Sequence, residues 1–306
     1  MPEPILVTGA AGGPQGSTGL RITEILLEQR VSVRAFVHRL DARSEALEEL
    51  GAEVVQGDLL DRESVSSALK GVRRSFFTYP VKDGLLEATT VFAAAAREAG
   101  TELVLNNSQL QSDRNPPSFR NMQHGLSERI FDWANVGAVH LRAAPYYENV
   151  RVLTRKTVSE RNTVYLPWGD GSAVIPLVGA EDVSRVAAKL LASPKRPSVS
   201  GYDLIAATPT VRQIVETMSL ALGRPIHYAA ITDEQWVEAM KDHINPHGLD
   251  HLTNLWRYFR TKDKWASEAR SVTDAIQEVT GSHALSLKDF FTANMAMFSG
   301  TETHSF

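Results

Sequence analysis

The chain has 306 residues, 43% of them apolar, a net charge of −4 and no cysteine. It is long enough to bury a large core as one big or two intimate domains; it offers no disulfide, thiol nucleophile or thiolate metal site, and without a basic run it advertises no nucleic-acid surface. No apolar stretch is long enough to span a bilayer, and the chain enters a strand pattern without a basic leader, so the expectation is a cytoplasmic protein with no membrane partner.

The first element is the short apolar strand Ile5-Leu6-Val7-Thr8, followed by a glycine-rich turn and a helix whose stripe is Ile22, Ile25 and Leu26. Strand, glycine turn and helix bring a helix N-terminus, with its unpaired N–H groups and dipole, against a phosphate. Gly9, Gly12 and Gly16 give Gly-x-x-Gly-x-x-x-Gly, one residue longer than the usual spacing; Gly13, Gly16 and Gly19 give the usual spacing but start further from the strand. The first register is preferred because Gly9 directly follows the strand. With Gly13, Pro14 and Gln15 it forms the expected dinucleotide cradle. A turn that merely connects two elements would not need five glycines, each costly in backbone entropy.

A strand over 31–37 comes next, then a helix over 44–50, a strand over 53–58 and a helix capped by Asp61 that turns Val65 and Leu69 inward. A strand over 75–78 precedes an alanine-rich helix over Leu85–Ala99, closed by Gly100, and a strand over 102–106 follows. Short apolar strands with helical crossovers mean a parallel sheet covered on both faces. The second half is less regular. A sixth strand is expected over 138–142; segments 163–166 and 174–178 flank Gly169-Asp170-Gly171, which reads as a hairpin turn. Glu181-Asp182-Val183 opens an amphipathic helix through Leu191, a strand follows over 202–206, and helices are expected over 211–222, 233–241 and 249–260. The predicted fold is α/β: a doubly wound, mostly parallel Rossmann sheet with a smaller, mainly helical C-terminal lobe. Residues 1–150, with returning segments near 174–206, form the nucleotide-binding domain; 151–173 and 207–300 form the substrate lobe, and 301–306 a frayed tail.

The ordered set Val7-Thr8-Gly9-Ala10-Ala11-Gly12, Gly57-Asp58, Asn107-Ser108, His124-Gly125-Leu126-Ser127-Glu128, Leu141-Arg142, Tyr146-Tyr147-Glu148-Asn149 and Glu181-Asp182-Val183 resembles the NmrA-like group of atypical short-chain dehydrogenases. That group includes bacterial quinone and triphenylmethane reductases and fungal redox regulators. The resemblance covers nearly the whole chain. It implies an adenine site at Asp58 and Leu59. It implies a nicotinamide site among Thr78, Tyr79 and Pro80, Asn107 and Ser108, and Ala144, Pro145 and Tyr146, in agreement with ligand binding outside the carboxyl ends of parallel strands.

The second strand ends Val37-His38-Arg39-Leu40-Asp41-Ala42-Arg43. An NAD site usually places a carboxylate at this strand end, whereas an NADP site offers cations to the extra phosphate. Arg39 and Arg43, with His38 beside them, favour NADP(H) over NAD(H). Relatives often carry Arg directly after the strand, where this chain has His38.

The usual short-chain dehydrogenase acid, a Tyr four residues before a Lys on the helix after the fifth strand, is absent: no Lys occurs between Lys82 and Lys156, and by position His124 replaces the Lys and Arg120 the Tyr. Without the Lys to lower a Tyr pKa, ordinary alcohol dehydrogenation loses its proton donor. His124 and Glu128, at i and i+4, share a helix face; they read either as an imidazole held near the nicotinamide by Glu128 or as a pair anchoring the helix. Tyr146 or Tyr147 is a phenolic donor or an aromatic wall, and Asn107 and Ser108 bond ligand or backbone. The catalytic candidates are therefore His124, Tyr146 and Ser108. Trp168, Trp236, Leu255, Trp256, Tyr258 and Phe259 read as core first and pocket wall second. His243, His247 and His251 recur every four residues, but Pro246 and Gly248 interrupt the helix and no metal is expected. There is no Gly-x-Ser-x-Gly elbow for serine hydrolysis.

The leading reading is an NAD(P)H-dependent reductase, a monomer or homodimer, passing hydride to a small conjugated or aromatic carbonyl such as a quinone, which accepts it without a side-chain acid. The alternative is a redox-sensing regulator that binds NAD(P) and performs no reaction.

Overall fold

The computed structural model describes residues 3–13, 17–112, 116–261 and 271–299. Among them lie nine strands: β1 (Ile5–Thr8), β2 (Val33–Val37), β3 (Glu53–Gln56), β4 (Arg74–Phe77), β5 (Leu103–Gln109), β6 (Val139–Ala143), β7 (Thr163–Leu166), β8 (Gly201–Leu204) and β9 (His227–Ala230). Seven form one sheet in the order β3-β2-β1-β4-β5-β6-β8, every neighbour parallel. The helices of this half are α1 (Thr18–Glu28), α2 (Ala42–Glu49), α3 (Arg62–Ala68), α4 (Leu85–Ala99), α5 (Phe119–Ala134), α6 (Tyr147–Arg161) and α7 (Ala180–Ala192).

The strands are apolar on both faces because both are covered. Val7, Ala35 and Leu105 point to a cluster with Ile22 and Leu26 of α1 and Val183, Val186 and Leu190 of α7. Their neighbours Leu6, Phe36 and Val104 point the other way, to Val65 of α3, Phe92 of α4 and Phe131 of α5. On that side Phe77 stacks at 5.0 Å from Phe92 and 5.1 Å from Phe131. Local signals set the ends: the Asp61 carboxylate accepts from the backbone of Glu63 and Ser64 at the start of α3, and Gly100 closes α4 at φ 74°.

The rest of the chain adds α8 (Val211–Leu222), α9 (Asp233–Met240), α10 (Pro246–Arg260), α11 (Ala275–Thr280), α12 (Leu287–Ala293) and α13 (Met295–Ser299). A third apolar cluster joins Val150 of α6, Met218 of α8, Trp236 of α9, Trp256 and Phe259 of α10 and Phe291 of α12. Trp168, Trp236, Leu255, Trp256 and Phe259 are all buried within it, with Trp168 and Trp256 edge to face at 5.3 Å. The expected hairpin across Gly169-Asp170-Gly171 does not form. β7 pairs in parallel with β9, while Val174 and Leu177 bridge antiparallel to Thr210 and Ala207. Pro176 has no N–H to give a ladder, and the donors beside it, Ile175 and Leu177, go instead to the carbonyls of Pro209 and Ala207. The expected tail at 301–306 lies outside the described residues. No described helix is long and apolar enough to cross a membrane.

The contact that positions α1 against the sheet is steric. A Cβ on Gly19 would stand 2.6 Å from the carbonyl oxygens of both Thr8 and Gly9. Both obstacles are backbone, so Gly19→Ala must push the helix off the strand end. Urea unfolding is expected to show a loss of about 1–3 kcal/mol, the usual cost of overpacking; an unchanged midpoint would mean that the helix is not held this closely.

Candidate functional site

The turn after β1 is built for close approach. Gly9 and Gly12 sit at φ 65° and 63°, where L side chains are strained, and a Cβ on Gly9 would lie 2.8 Å from Thr78 Cγ2. A Cβ on Gly13 would meet nothing within 4 Å among the described residues. The N-cap of α1, Ser17, makes no side-chain cap hydrogen bond, and the first turn carries no acidic residue. Glycine backbone at positive φ after β1 and an uncapped helix N-terminus fit a phosphate group. Gly19 takes the close helix–strand packing role that the third glycine of such a turn performs. Pro14, Gln15 and Gly16 lie outside the described residues.

Beyond β2, His38 and Arg39 are exposed, with the His38 carbonyl accepting from Gln56 Nε2 at 3.5 Å. Arg43 reaches back to the glycine turn: its guanidinium donates to the Gly12 carbonyl at 3.1 Å while paired with Asp41 at 2.6 Å. Asp41 is also the N-cap of α2. Asp58 and Leu59, half-buried after β3, are shaped by Ser64 Oγ, which accepts from the Asp58 N–H at 3.2 Å. Gly12, the Arg39–Arg43 segment and Asp58 thus follow three neighbouring strands at one sheet edge.

A chain of hydrogen bonds crosses that edge. The Thr78 N–H donates to Thr8 Oγ1 at 2.8 Å, Asn107 Nδ2 to Thr78 Oγ1 at 3.2 Å, and the Tyr146 hydroxyl to Asn107 Oδ1 at 3.4 Å. Tyr146 is fixed in turn by a parallel bridge to Val178, whose N–H donates to the Pro145 carbonyl at 3.1 Å. Burial raises the Tyr146 phenol pKa, so it stays protonated. Tyr79 turns aside and donates to the Asp83 carbonyl at 3.0 Å, while Pro80 is exposed. Tyr147 is fully buried and donates to the Leu285 carbonyl at 3.2 Å, which takes it out of the site.

Beside Phe131, the inner face of α5 carries a set of polar residues. Arg120, Asn121, His124, Ser127 and Glu128 are all buried. The expected hold of Glu128 on His124 is replaced by another pairing: Arg142 of β6 forks onto the Glu128 carboxylate at 2.6–3.1 Å, and Ser108 and Ser112 donate to it at 2.5 and 2.9 Å. Burial alone would raise the Glu128 pKa, but the Arg142 guanidinium and the Ser108 hydroxyl outweigh it and hold the carboxyl below its ordinary range. A guanidinium offers a planar two-point match that an imidazole cannot, so geometry decides the competition. Ser108 is therefore committed to Glu128. His124 Nδ1 is buried with no hydrogen-bond partner among the described residues, and burial, then Arg120 and His251, push the ring down to about 3. His251 accompanies it: Nδ1 lies 2.7 Å from Ser118 Oγ, the N-cap of α5. His247 faces Asp83 at 3.4 Å. Gln111, which sequence reasoning did not single out, sits just past β5 at φ 68°, buried, with neither amide atom paired among the described residues. A lone glutamine in a loop carries no sequence signal of such a position.

The chain belongs to the NmrA-like family, whose profile matches residues 1–293. It is 24% identical over 298 residues to the NAD(P)H azoreductase of Xenophilus azovorans, covering 96% of this chain and 99% of that one. In fold it is similar to the NADPH-dependent quinone oxidoreductase of Escherichia coli complexed with NADPH, with TM-score 0.79, 20% identity and coverage of 94% and 99%. It is also similar to the negative transcriptional regulator NmrA in complex with NADP, with TM-score 0.77, 16% identity and coverage of 95% of each chain.

The two buried histidines make the fold acid-sensitive. Their folded pKa values, about 3 for His124 and about 4 for His251, lie below the ordinary 6.5, so between these limits the unfolded chain binds more protons than the folded one. Stability is therefore full above 6.5 and falls with pH, by up to about 1.4 kcal/mol per pH unit for each histidine. Urea unfolding between pH 7 and 5 is expected to show this slope, and His251→Asn to reduce it. A slope unaltered by that replacement would mean that His251 titrates normally in the folded protein.

Proposed function

We propose that this chain is an NADPH-dependent reductase that passes hydride to a small conjugated or aromatic acceptor such as a quinone. The observation that carries the reading is the hydrogen-bonded edge from Thr8 to Tyr146 beside the glycine cradle, in a site whose nearby titratable groups do not serve as acids at neutral pH. NADPH bound there supplies the hydride. Gly9, Gly12 and Gly13, with Pro14, Gln15 and Gly16, receive the pyrophosphate against α1. Arg39 and Arg43, flanked by His38, receive the additional phosphate, since Arg43 already stands at the glycine turn. Asp58 and Leu59 border the adenine. Thr78, Tyr79, Pro80, Asn107, Pro145 and Tyr146 border the nicotinamide.

The acceptor then lies between this edge and the lobe, near His124. The Tyr146 phenol is a hydrogen-bond donor rather than an acid, and His124 is neutral at physiological pH. An aldehyde or ketone that needs a proton as hydride arrives is poorly served by such groups. A quinone accepts the hydride first, and the resulting hydroquinone anion takes its proton from solvent as it leaves, so the residues need only orient the acceptor against the nicotinamide. Glu128, locked to Arg142, contributes by fixing α5 to the sheet. The Tyr-x-x-x-Lys acid has no part in this scheme.

Calorimetry is expected to show NADPH bound more tightly than NADH. Arg43→Ala should weaken NADPH by roughly 1.5–3 kcal/mol, the worth of a charge-assisted contact, and spare NADH; equal affinities for both cofactors in the unmodified protein would overturn the NADP assignment.

Stopped-flow oxidation of bound NADPH, run across quinones, enones, aldehydes and azo compounds, tests the reaction. Quinones should react, His124→Ala should slow turnover about one to two powers of ten, and Tyr146→Phe should do less because the ring remains. Tight NADPH binding with no acceptor oxidising it would replace the enzyme by a regulator of the NmrA kind. Collapse in Tyr146→Phe would make the phenol a true acid.

A further inference from the structure

Buried polar side-chain atoms ordinarily find a partner, and each that does not asks for a reason. Several such atoms gather beyond the strand end that carries Asn107. Among the described residues, Gln109 Oε1, both Oε1 and Nε2 of Gln111, and His124 Nδ1 are buried and make no hydrogen bond. Gln111 is the extreme case. It is 1% exposed, both ends of its amide are unpaired, and its backbone stands at φ 68°, where a side chain with a Cβ is strained.

The residues on either side hold that conformation in place. The Leu110 N–H donates to the Ala143 carbonyl at 2.9 Å, and the Leu110 carbonyl accepts from Asn121 Nδ2 at 3.1 Å. The Ser112 hydroxyl donates to Glu128 at 2.9 Å. Asn121, His124 and Glu128 share the buried face of α5, within an arc of about 60° at 100° per residue. The loop is therefore clamped, before and after Gln111, to the helix face that carries His124. It lies at the carboxyl edge of the sheet, where parallel strands take their ligands. Backbone strain kept by such clamps, with no hydrogen bond of the side chain to offset it, marks a functional position.

A ligand that gives the Gln111 amide its partners removes the cost of burying it unpaired; a ligand that cannot leaves that cost in place. The amide presents a donor and an acceptor side by side, and its complement presents an acceptor and a donor in the same way. A carboxylate is a poorer match. It brings two acceptors and a charge, while the cations of this face are engaged, Arg142 by Glu128 at 3.0 Å and Arg120 by Gln123 Oε1 at 3.1 Å and by the Lys82 carbonyl. Resting on the reductase reading above, we propose that Gln111 sets acceptor specificity by pairing with a carboxamide, or another carbonyl with an N–H beside it, on an aromatic acceptor. A site built on a substrate N–H rejects the analogue that lacks it, because the protein's own polar groups then stay buried and unpaired.

Two unreactive compounds test this directly. β-Naphthamide and methyl β-naphthyl ketone share one aromatic frame and nearly one shape, and differ only by an amino group against a methyl. Calorimetry in the presence of NADP+, where no hydride is available, is expected to show the amide bound roughly ten- to a hundredfold more tightly. Gln111→Leu should bring the two affinities together. So should Gln111→Asn, which suits this backbone and withdraws the amide by one methylene. In urea, Gln111→Leu should unfold at an equal or higher midpoint, since it removes an unpaired buried amide. Equal affinities in the unmodified protein, binding of neither compound, or tighter binding of β-naphthoate would each overturn the proposal. So would a preference that survives both replacements, or a lowered midpoint in Gln111→Leu. Stopped-flow oxidation of NADPH by the carboxamide and the methyl ketone of naphthoquinone, each scaled by its rate with a free dihydronicotinamide, separates the two readings. A calorimetric preference with no oxidation by either quinone removes the reductase and leaves the subsite. Oxidation by both at the same scaled rate, with equal affinities, removes the subsite and leaves the reductase.

Discussion

The site depends on the spacing of strand ends. Parallel strands finish at one edge, but the ladders within the sheet do not by themselves hold the side chains beyond that edge. Here the hydrogen bonds from Thr8 through Thr78 and Asn107 to Tyr146 do so, linking the ends of β1, β4 and β5 to the segment after β6. Each bond is short-range and modest, of the order of 1 kcal/mol. Together they keep the glycine turn and the Tyr146 hydroxyl in one frame, which the hydride transfer proposed above would require.

Much of that frame was legible in the chain. Buried parallel strands have to be apolar without interruption, so Ile5-Leu6-Val7 and its successors announce themselves, and Asp61 and Gly100 mark helix ends by chemistry that acts within four residues. The second half of the chain was not legible in the same way. β9 is four residues long and finds its partner β7 more than sixty residues upstream; only the tertiary fold decides such a pairing. Gly169 and Gly171 do turn the chain at φ 72° and 87°, so the turn chemistry was read correctly and its consequence was not. Helix α6 gave little signal because its interior is held by a few side chains, Tyr147, Val150, Thr154 and Val158, on an otherwise polar sequence.

The site residues show where sequence reasoning stops. The i, i+4 spacing of His124 and Glu128 correctly puts both on the buried face of α5. What it cannot see is a competitor arriving from another strand. Arg142 is fourteen residues further on and reaches Glu128 across the β5–β6 edge; a bidentate ion pair then leaves the imidazole without its expected partner. Burying such a pair is weak evidence for stability in itself, because desolvation offsets much of the attraction. Its value here is positional. Two serines and an arginine saturate one carboxylate, and α5 can stand in only one rotation about its axis.

That constraint governs how the rest of α5 packs. The inner face of α5 combines these hydrogen-bonding groups with Phe131, which packs among Phe77 and Phe92. Phe119 and Trp133 stand on the exposed side. The ion pair and the aromatic cluster divide the work: Phe131 supplies the hydrophobic burial that holds α5 to the sheet, and the Glu128–Arg142 pair sets the rotation that turns the polar groups of the helix inward.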